Sequence, residues 1–249
     1  MLGNKISILV LFFAYCFCID KDSVAIYYEN GLAAYSAGQY DLAVQEFNYI
    51  LSFDIESPEL YYNLGNTFYR QENIGKAIWS YERCLLLSPS DSDAKYNLML
   101  SNLKVIDKLD LPDPPFYFNW YLDLKERFNS VEWFNISLSI FSLFLLILTI
   151  YRFNANIFFN SLKSVMLSLF FVSLIFTIDS MITIQTLNKG IILNHKVEVK
   201  SEPNKYSTRL FQVNEGLKVK IINQEFDWLK IELLDGKIGW IEKSQILEI

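Results

Sequence analysis

The stretch from Ser57 to Pro89, SPELYYNLGNTFYRQENIGKAIWSYERCLLLSP, decides how the chain is read. Ser57 stands where a helix needs a cap, Pro58 fits the opening position behind it, and Pro89 closes the unit. Compared with the residues upstream, the stretch matches at an offset of 34: Tyr27 with Tyr61, Gly31 with Gly65, Ala43 with Ala77 and Phe47 with Tyr81. Self-similarity at a fixed period of this kind marks stacked helical pairs. In such stacks the small residues let two antiparallel helices approach, and the aromatics fill the holes between neighbours.

The period and the set Tyr61, Leu64, Gly65, Phe68, Ala77, Tyr81, Cys84 and Pro89 resemble the tetratricopeptide (TPR) repeat. The first copy is looser, with Asn30 where Leu is usual and Ala34 where a large residue is usual, but AGQYDLAVQEF restores its second helix. A third segment, DSDAKYNLMLSNLKVIDKL, adds one amphipathic helix. The expected block covers residues 20–110, with copies at 24–57 and 58–91 and a capping helix at 92–108. Three repeats are usually wanted for independent stability, so this block is expected to lean on a membrane surface or a partner.

Stacked pairs form a groove lined by their first helices, and the candidates for it are Tyr28, Tyr62, Asn63, Asn66, Arg70 and Asn97. Asn66 and Asn97 resemble asparagines that hold a peptide backbone or terminal carboxylate in some TPR proteins, although Tyr62 stands where a clamp lysine belongs. The other reading makes them partners between helices, because buried polar groups must be paired in any case. Cys84 occupies a position where Ala is common, and a buried, inert thiol is expected. Residues 20–110 hold 7 basic and 14 acidic side chains, a bias that favours a cationic partner surface.

Outside the repeats the chain is apolar. Its 249 residues are 52% hydrophobic with a net charge of −6, and the mean hydropathy is +0.19. That balance argues against nucleic acid and for lipid. Lys5 precedes an apolar run from Ile6 to Ile19, after which charge starts at Asp20, so residues 1–18 read as a secretory signal. Acylation at Cys16 or Cys18 is the alternative, weakened by bulky neighbours. Residues 133–151 and 164–184 each approach the length a membrane-spanning helix needs. The loop 152–163 between them carries Arg152 and Lys163 and no acid, which places it in the cytoplasm and both flanking regions outside. Residues 111–132 form a Pro-rich joint, LPDPP, and an aromatic segment suited to the outer membrane surface. Asp179 falls near the outward end of the second span, where a hydrated carboxylate is expected over a buried proton or ion site.

From residue 190 onward the texture changes to short alternating runs, KVEVKSEP, GLKVKIIN, DWLKIEL and KIGWIEKSQI. Asn223 to Glu225 and the Asp235-Gly236 dipeptide are read as the separators. Five short strands suit a small barrel. Gly216, Trp228, Asp235-Gly236 and Gly239-Trp240 give it a resemblance to a bacterial SH3-like domain over 190–249. Trp228 and Trp240 are candidates for a ligand groove or for the core, the core being favoured for Trp228. The fold expected is therefore multidomain, α plus all-β: a helical repeat block, two transmembrane helices and a small SH3-like barrel.

The order of these modules, with the strings LYYNLGNTFYR, GKAIWSYERCLLLSP and DAKYNL, is similar to the BatE proteins of the Bacteroides-type aerotolerance (Bat) operon. That resemblance implies an inner-membrane protein with outward-facing domains. It also implies von Willebrand factor A-type Bat proteins and a MoxR-type ATPase as partners, and a role in oxygen or stress tolerance. The residues themselves carry no nucleophile motif, no metal cluster and one histidine, His195, read as a satisfied surface or strand side chain. A non-enzymatic envelope scaffold without cofactor is expected. The alternatives are a peptidoglycan-binding sensor acting through the barrel and, further off, a redox factor.

Overall fold

A computed structural model describes residues 21–107, 115–153, 156–185 and 188–249. The signal segment 1–18, its lipidation alternative and the joint up to Pro114 lie outside the described residues. Five helices build the first region: α1 (Lys21–Ser36), α2 (Tyr40–Leu51), α3 (Pro58–Arg70), α4 (Ile74–Leu87) and α5 (Ser92–Leu103).

The repeat follows from two glycines. A Cβ on Gly31 would sit 2.4 Å from the Phe47 ring, and one on Gly65 would sit 2.5 Å from the Tyr81 ring. In each copy the aromatic of the second helix thus lies flat on the bare backbone of the first, and both rings are buried. The turns correspond too, since Gly38 (φ +73) and Glu72 (φ +61) take the left-handed conformation at equivalent places. Ser57 caps α3 by accepting the Leu60 N–H at 3.1 Å, and Asp91 caps α5 by accepting from Asp93 and Ala94. Helix α5 ends at Leu103 rather than 108. Beyond its end Val105 leaves the helical path and packs with Ile74, Ile78 and Ile191 in a second core.

Helix α6 (Phe116–Lys125) exposes Phe116, Tyr117 and Trp120. Two long helices follow, α7 (Ser130–Phe153) and α8 (Ile157–Gln185), packed side by side. Both start before the positions expected from hydropathy. Asn129 and Glu132 exchange side-chain bonds to each other's backbone N–H at 2.9 and 2.8 Å, a reciprocal box that fixes the start of α7. Asn156 accepts the Phe158 N–H at 3.2 Å and starts α8. The expected loop at 152–163 is consequently shorter, and Lys163 lies within α8 with its ammonium 4.3 Å from the Tyr151 ring centroid. Both helices are long and apolar enough to cross a membrane, and only 17% and 22% of their most apolar windows are buried within the protein.

The last region is one antiparallel sheet of seven strands in the order β3-β2-β6-β5-β4-β1-β7. They are β1 (Lys189–Ile192), β2 (Val197–Lys200), β3 (Arg209–Val213), β4 (Lys218–Glu225), β5 (Trp228–Glu232), β6 (Ile238–Glu242) and β7 (Ile246–Glu248). Two strands exceed the five expected. β1 and β7 are only four and three residues long and pair with each other, so neither shows a long alternation. The Asp235-Gly236 turn joins β5 to β6, with Gly236 at φ +83. Asn223 to Glu225, read as a separator, belong instead to β4. The left-handed residue that turns the chain there is Phe226, at φ +49.

The helical repeats and the strand region are packed together. A Cβ on Gly75 would lie 2.6 Å from the Ile192 carbonyl oxygen, and one on Gly216 would lie 2.7 Å from Val105. These bare backbones let the first turn of α4 and the β3–β4 turn meet. Across the seam, Glu215 accepts the Gly75 N–H at 2.8 Å. Asp107 accepts from both the backbone and side-chain nitrogens of Asn214, and Trp79 donates to the Glu248 carbonyl at 2.8 Å.

Candidate functional site

Three places hold the residues singled out from the sequence. The first is the row formed by α1, α3 and α5. Asn63 donates to the Tyr28 hydroxyl at 2.8 Å, linking α3 to α1. Asn97 donates to Asn66 Oδ1 at 2.9 Å and reaches the Tyr62 hydroxyl at 3.4 Å, linking α5 to α3. The Tyr81 hydroxyl also donates to Asn66 Oδ1, at 2.8 Å. Five of the six groove candidates therefore bond between neighbouring helices in two groups, Tyr28 with Asn63 and Asn97 with both Tyr62 and Asn66. Arg70 stands apart at the exposed end of α3, its guanidinium strengthened as a cation by a bond with Tyr35. Burial, then the side chain of Glu59, raises the Tyr28 hydroxyl above the usual phenol range, so it is protonated at physiological pH.

Cys84 lies behind this row and is fully buried. Burial, reinforced by Asp91, pushes its thiol up to about 12. It is therefore protonated at neutral pH, and the reactive thiolate is missing.

The second place is a recess of about 350 Å³ in the strand domain, lined among others by His195, Glu198, Lys205, Trp228 and Glu242. Trp228 is half-buried at its edge. Leu229 and Ile231 on either side of Lys230 are fully buried, so the alternation that suggested a core Trp228 places it on the opposite face. Trp240 pairs across the sheet with Lys230 and so shares that outward face with Trp228, yet it is covered, with the Lys230 ammonium 5.7 Å from its ring centroid. Trp228 borders the recess and Trp240 does not. His195 joins the recess to the seam, since its Nε2 lies 2.9 Å from the buried Glu215 carboxylate.

The third place is the end of the long helices that meets α6. Lys125 on α6 pairs with Asp179 on α8, and the Tyr121 hydroxyl donates to the same carboxylate at 2.7 Å. Burial, then that bond, pushes the Tyr121 hydroxyl up to about 12. Tyr121 on α6 and Trp133 on α7 both stack on one ring of α8, Phe176, at 5.3 and 4.6 Å. Asp179 is thus held by side chains of the aromatic segment. Neither Lys125 nor Tyr121 was legible as its partner, because the pairing depends on how α6 folds back.

Residues 31–72 match the family described as TPR repeat, and residues 195–246 match the family described as Bacterial SH3 domain. The chain carries a TPR repeat near its N-terminus and a bacterial SH3 domain near its C-terminus. Such domains point to protein binding and, for the second, to peptidoglycan. No curated protein matches the chain.

Proposed function

We propose that this chain is a non-enzymatic scaffold of the cell envelope, anchored in the inner membrane by α7 and α8, with the repeats and the SH3 domain on the outer side. One observation carries the reading. The SH3 domain packs on α4 and on Val105 beyond α5, which leaves the row of α1, α3 and α5 uncovered for a protein segment. Arg152 and Lys163 at the other end of the hairpin support the orientation. The acidity of the repeats favours a partner with a basic surface.

The order of modules supports a place in a Bat-type complex with von Willebrand factor A proteins and a MoxR-type ATPase. The test is co-purification from gently solubilised membranes, comparing the native chain with Asn63→Ala and Arg70→Glu variants. Loss of a specific envelope protein from either variant supports the scaffold, and an unchanged set of captured proteins overturns it. A second reading, peptidoglycan binding through the SH3 domain, draws on the half-buried Trp228 beside charged side chains in the recess. Sedimentation with purified peptidoglycan, lost in Trp228→Ala, is its expected signature.

A further inference from the structure

A cleft of about 1010 Å³ opens where the outward body meets the membrane hairpin. One wall is the unpartnered side of the repeats, with Leu98, Met99 and Leu103; the other is Leu122 and Phe128 around the end of α6. Met99 and Leu103 are each more than half exposed. Ser130 and Ser180, at the outward ends of α7 and α8, reach the same space, so the cleft lies at the headgroup level. The body is tied to the hairpin beside it, through Lys95 with Glu126 at 3.0 Å and Asn129 with the Leu87 carbonyl at 3.3 Å.

Four lysines border the cleft: Lys95, Lys125, Lys189 and Lys218. Three have carboxylate partners, namely Glu126, Asp179 and Glu82. Lys189, at the start of β1, has no carboxylate within ion-pair distance among the described residues. Burial and then the neighbouring Lys218 ammonium hold its pKa below the usual lysine range, against the opposing pull of Glu82. The cleft, which Glu82, Asp107 and Glu126 also line, therefore joins an apolar wall to a lysine without an ion-pair partner among the described residues, at the water–lipid boundary. That is the pattern of an anionic amphiphile, with its charge and its hydrocarbon both in reach.

We infer that this cleft binds an anionic membrane phospholipid, its phosphate received by Lys189 with Lys218 and an acyl chain laid along Met99, Leu103, Leu122 and Phe128. The inference rests on the membrane reading of α7 and α8. The full-length chain, reconstituted in phosphatidylcholine vesicles doped with photoactivatable phosphatidylglycerol, is irradiated and its labelled peptides are mapped. Label is expected on α5 and on residues 122–128 as well as on the spans. Lys189→Gln should lower the cleft label about fivefold, the effect of one lost charge near the surface. Met99→Trp, which adds bulk at an exposed position of the cleft wall, should remove it while span labelling stays the same.

Label confined to α7 and α8 overturns the lipid site and leaves the membrane reading intact. So does equal labelling of the cleft by photoactivatable phosphatidylcholine, or recovery of a polypeptide crosslinked at Met99. Absence of label on α7 and α8 overturns both.

Discussion

Replacing Glu215 with Ala tests the seam between the repeats and the SH3 domain at its most enclosed contact. The carboxylate is 8% exposed and accepts the Gly75 N–H at 2.8 Å. Gly75 is the second residue of α4, so the charge also faces the positive end of that helix. A hydrogen bond to a charged group contributes about 1.5–3 kcal/mol, and its loss leaves the Gly75 N–H without an acceptor in a closed interface. The seam should therefore open more often by about 2–3 kcal/mol, a factor of about 30 to 150. The domain should not detach, because the Asp107–Asn214 bonds, the Lys218–Glu82 pair and the Ile74, Ile78, Val105 and Ile191 cluster remain. Hydrogen exchange on the full chain in mild detergent reads this directly, since amides sealed by the seam exchange in proportion to its open population. Gly75→Ala gives an independent route. Its Cβ meets backbone on the opposite side, the Ile192 oxygen at 2.6 Å and Leu193 Cα at 3.2 Å, so the domain must shift and the Glu215 bond is lost with it. The two substitutions should then be clearly less than additive. Unchanged exchange at Gly75 in Glu215→Ala, exchange no faster than in the exposed control Glu225→Ala, or full additivity of the pair would refute the docked seam.

Glu72→Gly should stabilise the protein by about 1 kcal/mol, because a side chain at φ +61 is strained where the first copy has Gly38; a lower unfolding midpoint in denaturant counts against it. Gly65→Ala should destabilise by about 1–3 kcal/mol, since its Cβ would stand 2.5 Å from the buried Tyr81 ring; a neutral result in the same titration would show that the ring is not seated there. Cys84, with its thiol near 12, should resist maleimide at pH 8 in the folded chain and react on unfolding. Because the unfolded thiol ionises near 9 while the folded one stays protonated, stability is unaffected below that value and should fall as pH rises from 9 towards 12. Cys84→Ala should make that part of the profile less steep, the buried tyrosines Tyr61 and Tyr81 supplying the rest, and an unaltered slope refutes a Cys84 contribution.

What was legible in the sequence was periodic or compositional. The offset of 34 worked because Gly31 and Gly65 meet Phe47 and Tyr81 in the same way, so the repetition in the chain reflects repetition in the packing. Ser57 and the Asp235-Gly236 turn were readable because each acts on residues next to it. The box between Asn129 and Glu132 was equally local and was missed, since hydropathy marks where a helix becomes apolar and not where it begins. The Trp228 reading failed on parity. Alternation beside buried Leu229 and Ile231 puts a side chain on the other face of the strand, which also moves it from the core towards a surface a ligand can touch.

The seam left almost no periodic trace, and the reason is physical. Its contacts join Gly75 to Glu215, Trp79 to Glu248 and Asp107 to Asn214, partners more than a hundred positions apart. Each member taken alone passes for something ordinary: a glycine in a helix, a terminal acid, an aspartate after a capping helix. Even so, two and a half repeats with an exposed last helix were in need of cover, and the sequence implied that something must supply it. Part of that cover comes from within the chain, since Val105 and Ile78 bury themselves against Ile191 and the Gly216 turn. The consequence for function is mechanical. On the proposed reading, a partner along α1, α3 and α5 would grip a body whose other side already holds the SH3 domain through Gly75 and Glu215. The recess and the first turn of α4 are joined through two side chains, since His195 lines the recess and lies 2.9 Å from Glu215, which in turn accepts the Gly75 N–H.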